Sequence, residues 1–84
     1  MLTGSQYSKY RMGIKKIVKK LMSQPTEMRI DEVTILLDFL NYKLDRIHGS
    51  HYIFTKPGTK AIILPVHNNK IRKKIYLKKL RELL

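Results

Sequence analysis

The sequence contains no cysteine. Disulfide staples, thiolate metal sites and a cysteine nucleophile are therefore excluded together. Acidic residues are scarce: six Asp and Glu stand against eighteen Lys and Arg among 84 residues, a formal net charge of +12. No apolar run approaches the roughly 20 residues needed to span a bilayer. Residues 1–10 lack both an apolar core segment and a small-residue cleavage site, so secretion is not expected and the chain reads as soluble and cytoplasmic. The length allows one domain, because a second hydrophobic core would have too few residues to fill it. An apolar content of 43% separates the chain from a disordered basic tail. What is present is a small, strongly cationic domain whose expected partner is a polyanion.

The charge is unevenly distributed. Residues 1–25 carry six basic residues and no acid, residues 26–45 carry two basic and five acidic, and residues 46–84 carry ten basic and one acidic. Two basic segments flank a mildly acidic one, which suggests one face for an anion and another for a protein partner.

From Tyr10 to Ser23, Ile14, Ile17, Val18, Leu21 and Met22 recur at the spacing of one helix face, with Lys15, Lys16, Lys19 and Lys20 on the other. Pro25 disfavours helix at Gln24 and should end it there. Met1 to Tyr7 reads as an unstructured start or an expression remnant. Asp31 is the expected N-cap of a second helix, with Glu32 in its first turn and Ile30 and Ile35 as a hydrophobic staple. Val33, Leu36, Leu37 and Leu40 form its apolar stripe. Asn41 tolerates the left-handed backbone that often ends a helix. Beyond it, Tyr42 to Ile47, His51 to Lys56 and Lys60 to His67 read as strands, separated by His48-Gly49-Ser50 and Pro57-Gly58-Thr59. Pro65 puts the third strand at an edge. A last helix from Arg72 to Leu83 is expected to bury Ile75, Tyr76, Leu80 and Leu83 or Leu84. The fold class is α+β: a three-stranded antiparallel sheet with helices on one face, in the order ααβββα.

The string Gly49-Ser50-His51-Tyr52-Ile53-Phe54, followed by Leu64-Pro65-Val66-His67 and a basic C-terminal helix, resembles the HicA family. These are the toxins of bacterial and archaeal HicAB toxin–antitoxin systems. The likeness runs from about Asp31 to Leu84. It implies a fold like the double-stranded-RNA-binding domain (dsRBD-like), ribosome-independent cleavage of mRNA, and inhibition by a HicB antitoxin. It also implies that His51 is the catalytic histidine. Residues 1–25 are then an N-terminal extension with one basic amphipathic helix, and residues 26–84 the HicA-like domain. That helix lies outside the minimal family pattern, and Asn41 stands where the family often has Gly.

RNA is cleaved without metal or cofactor when its 2′-OH attacks the adjacent phosphate. A base takes the 2′ proton, an acid protonates the leaving 5′-oxygen, and cations stabilise the charge on phosphorus. Histidine suits both proton transfers. His51 is the candidate acid or base, and Gly49 the turn residue that aims it. Arg46, Lys56, Lys60, Lys70, Arg72, Lys73 and Lys74 are the candidate RNA-binding cations. Ser50 reads as an auxiliary group or, more simply, as a turn cap. Because a two-residue Pro57-Gly58 loop would mismatch hairpin twist, Lys56 should pair with Lys60. That register sets His51 opposite Pro65 and His67 diagonally on the same face, with Tyr52, Phe54, Ile62, Leu64 and Val66 on the buried one. His67 then either assists His51 or bonds the following Asn turn, and His48 reads as an exposed turn residue.

Three function classes fit these residues: a metal-independent endoribonuclease acting on mRNA, a non-catalytic RNA- or DNA-binding module of the same fold, and a basic helix on anionic lipid. For the N-terminal helix, packing on the core or against a second copy in a homodimer is favoured over a membrane surface, because its apolar stripe is short and lacks aromatics.

Overall fold

The computed structural model describes residues 4–84, with side chains from residue 13 onward. Helix α1 spans Gly4–Met22, so it starts earlier than the apolar spacing indicates. Residues 4–7, expected to be unstructured, are helical, while residues 1–3 lie outside the described residues. Ile17 and Leu21 are buried and Met22 is 55% exposed. The helix stops where Pro25 requires, but Gln24 takes a left-handed φ of 59° rather than an extended one. The guanidinium of Arg81 donates to the Leu21 carbonyl at 3.3 Å, which satisfies one of the acceptors that a helix end leaves over.

Strand β1 (Met28–Arg29) leads directly into α2 (Ile30–Phe39). The N-cap is Arg29, not Asp31. The reason is Glu32, whose carboxylate accepts the Arg29 backbone N–H at 3.1 Å, as the third-position acid of a capping box does. Asp31 instead pairs with the Arg29 side chain at 3.1 Å. The staple positions move with the cap to Met28 and Val33, both buried. Asn41 closes the helix with φ 70°.

Strands β2 (Lys43–His48), β3 (His51–Thr55) and β4 (Ile62–Pro65) form the antiparallel sheet in the order β2-β3-β4. The register between β3 and β4 places His51 opposite Pro65 and Phe54 opposite Ile62, as the loop argument required. Gly58 supplies φ 80° behind Pro57, and Thr59 N–H bonds Lys56 C=O at 3.1 Å. Pro-Gly thus forms a type II turn inside a wider loop. Phe54, Leu64 and Val66 are buried toward the helices, with Tyr52 and Ile62 partly so.

A second sheet was not legible in the sequence. β5 (Lys70–Ile71) pairs with β1, Met28 opposite Ile71 and Arg29 opposite Lys70. Asn68 and Asn69 take φ 51° and 62°, and His67 and Lys70 exchange two backbone hydrogen bonds of 3.0 Å. Two left-handed central residues define the type I′ hairpin turn. Helix α3 (Lys74–Glu82) follows. It buries Leu77 and Leu80, whereas Ile75, expected inside, is 59% exposed, and Leu83 and Leu84 are also exposed. The spacing allows either stripe, and docking against α1 selects the one carrying Leu77.

The resulting architecture is α+β, with three helices on one face of the three-stranded sheet and the main elements in the order ααβββα. A single core joins Leu21 of α1, Leu37 of α2, Phe54 and Leu64 of the sheet and Leu77 of α3. The opposite sheet face carries the exposed His51, Arg46 and Ile63 and the buried Ile53.

Candidate nucleic-acid interface

Residues opposite one another in a ladder project to the same side. Thr55, Ile53 and His51 of β3 therefore share the face away from the helix-packed core with Lys43, Arg46 and His48 of β2, and with Ile63 and Pro65 of β4; Ile53, at its centre, is buried. A register irregularity between Leu44 and Arg46 takes up one residue, Asp45. This bulge lets Leu44 and Ile47 both turn toward the helix side, although both remain exposed. His51 and His48 are exposed.

The turn that presents His51 has two residues. His48 pairs with His51 across it, and Gly49 takes φ 63° while Ser50 stays at negative φ. Positive φ at the first central residue alone is the type II′ signature, for which glycine is the natural occupant. Ser50 is half-buried, and its carbonyl accepts the Val66 N–H at 2.8 Å. The turn is thereby tied to the end of β4, which steadies the start of β3 and His51 with it. His67 follows Val66 beyond the last paired residue, Pro65, at the same end of the sheet as His51, and its backbone is committed to the Asn68-Asn69 turn.

The expected cations do not form one ring around His51. Arg46 shares its face and is ion-paired with Asp45. Lys70 and Arg72 both reach Glu27, at 2.9 and 3.8 Å. The Lys70 hydrogen bond, with the charges of Lys70, Arg72 and Lys20, outweighs desolvation and holds the Glu27 carboxyl below its ordinary value. Lys56 and Lys60 flank the turn at the far end of the sheet. At about 3.3 Å per strand residue, that is roughly 16 Å from His51. The Lys56 ammonium lies 5.4 Å from the Tyr42 ring centre. Lys60, Lys73 and Lys74 have no acidic partner among the described residues.

A groove of about 340 Å³ lies between β4 and α3, lined by Tyr42, Ile62, Leu64, Lys79 and Leu83. It does not include His51, so the candidate interface is an open sheet face and not a cavity. Among the described residues no three His, Asp or Glu side chains gather to hold a metal ion. No described helix is long and apolar enough to cross a membrane.

A model of the HicA toxin of bacterial toxin–antitoxin systems matches residues 30–83. This chain belongs to the HicA toxin family. No curated protein and no solved structure matches it. The matched span of this HicA-family chain contains Gly49, Ser50, His51 and His67, and it leaves out α1, which nevertheless contributes Ile17 and Leu21 to the same core. Membership in a toxin–antitoxin family makes the chain a toxin with an antitoxin partner.

One residue of the HicA-family sheet face escaped the sequence reading. The sequence suggests a three-residue turn that includes His48, yet His48 closes a two-residue one, directly opposite His51. The signal was present: a glycine one position after the first histidine, with the second histidine three residues on, fits a type II′ hairpin.

Proposed function

We propose that this HicA-family toxin is a metal-independent endoribonuclease that cleaves mRNA and thereby inhibits translation, with His51 as a proton-transfer group. The observation that carries the reading is the exposed placement of His51 beside a glycine turn, on the sheet face opposite the one that packs Phe54 and Leu64 into the core. Arg46 neighbours the histidine there, while Lys73 and Lys74 offer exposed charge to the phosphate backbone. The 2′-OH of the RNA is the nucleophile, so the protein need supply only proton transfer and charge stabilisation. A HicB-type antitoxin neutralises the toxin by covering the same face.

The test uses the purified protein and a His51→Ala variant, each incubated with a structured mRNA in EDTA. The wild type is expected to cleave, and His51→Ala to bind without cleaving. Binding by both with cleavage by neither would instead describe a non-catalytic RNA-binding module.

A further inference from the structure

We infer that His48 is the second proton-transfer group of the site, paired with His51 as acid and base. The inference rests on the endoribonuclease reading above and supplies the partner that His51 lacks in it. Transesterification of RNA needs two proton movements at one phosphorus. The 2′-O–H proton passes to a neutral imidazole as the 2′-O–P bond forms. The P–O5′ bond breaks as an imidazolium gives its proton to O5′, leaving a 2′,3′-cyclic phosphate and a 5′-hydroxyl. One histidine cannot hold both states at once.

The hairpin places a second histidine where this chemistry requires it. His48 and His51 are cross-strand partners, and such pairs carry Cβ atoms about 4.5–5.5 Å apart on one face. Both are exposed on the side away from the helix-packed core. The two-residue turn fixes the pairing, since Gly49 allows only two residues between them. The other groups on the face serve less well. Arg46 and Lys43 from β2 are engaged with Asp45 and Asp38. β3 adds Ile53 and Thr55, β4 adds Ile63 and Pro65, and none of these is ionisable. His67 lies beyond the last strand pair, with its backbone turning into β5. Ser50 is half-buried in the turn itself.

The experiment compares wild type, His48→Gln and His51→Gln on an RNA whose cleavage site has been mapped. The same RNA is then made with sulfur in place of the bridging 5′-oxygen at that bond. A thiolate leaves without being protonated, so the sulfur substrate removes the need for the acid and not for the base. The wild-type rate is expected to fall on both sides of a pH maximum, and His48→Gln to lose one limb. Each variant should lose about 100-fold or more on ordinary RNA, the scale of general acid–base catalysis. Sulfur should restore one variant and leave the other slow. A His48→Gln protein that keeps the wild-type rate or both limbs of the profile overturns the inference. Rescue of both variants, or of neither, does so too. A wild type that cleaves nothing overturns the endoribonuclease reading along with it. Cleavage lost in His51→Gln but intact in His48→Gln removes His48 alone.

Discussion

Replacing Leu21 by alanine tests whether α1, which lies outside the family-matched residues 30–83, is a working part of the domain. Leu21 has 0% exposure and belongs to the same core cluster as Leu37 of α2 and Leu77 of α3. Removing a fully buried leucine side chain costs about 2.7–5.0 kcal/mol, from lost transfer energy and the cavity left behind. At about 0.05–0.15 kcal/mol per residue, a domain of this length has roughly 4–13 kcal/mol in total. The substitution therefore removes a large share of stability. The Arg81 bond to the Leu21 carbonyl is to backbone, so it survives the change and does not complicate the comparison. At about 4–8 °C per kcal/mol for a domain of this size, a loss of about 3 kcal/mol lowers the melting temperature by roughly 12–24 °C. Met22, the adjacent residue, is 55% exposed, and Met22→Ala should stay within about 0.5 kcal/mol of wild type. Leu77→Ala, at an equally buried site in α3, sets the scale for a core leucine. The assay is urea unfolding followed by far-UV circular dichroism, comparing midpoints at unchanged slope. A Leu21→Ala midpoint no lower than that of Met22→Ala, with Leu77→Ala strongly shifted, would refute the packing of α1 on the core.

Two further outcomes follow from the turn and from the ion-pair cluster. Gly49→Ala meets no atom within 4 Å, so its cost is the backbone at φ +63° alone. This amounts to about 1–3 kcal/mol, and cleavage should fall with stability as the His48–His51 pair is re-aimed. Thermal melts and RNA cleavage that both match wild type would refute the turn assignment. Glu27 has its carboxyl lowered from 4.5, chiefly by the Lys70 hydrogen bond. Its contribution to stability is therefore present above that ordinary value and is lost as pH falls through the lower folded value. The melting-temperature gap between wild type and Glu27→Gln should be open at neutral pH and close in acid. A gap that stays constant into acid would show that the pairing with Lys70 and Arg72 is not its source.

Local signals in the sequence carried far where the structure is local. Asn41 ends α2 in the left-handed backbone it tolerates, and α1 stops before Pro25 although Gln24 is left-handed and not extended. The mismatch of a tight Pro-Gly loop with hairpin twist was enough to set His51 opposite Pro65. The cap of α2 was harder to read, because Asp31 is a good cap by composition while Glu32 bonds the N–H of Arg29 three residues before it. His51 itself was legible through the Gly-Ser-His string, but His48 was hidden by one residue of turn length. The bulge at Asp45 and the β1–β5 pairing left no periodic trace, since each involves only one or two residues.

The amino-acid sequence alone determined the cationic character of this protein, its three helices and three main strands, and the strand register that carries His51. These follow from charge count, apolar spacing and turn chemistry, all of which act over a few residues. Tertiary structure decided which stripe of α3 faces inward, that α1 shares the core, and which cations are already held by acids. It also decided that His48 stands exposed beside His51 on the sheet face away from the helix-packed core. Those outcomes depend on contacts between segments far apart in the chain: Lys70 meets Glu27 only because β5 pairs with β1, and Leu77 is buried only because α1 and α3 pack together.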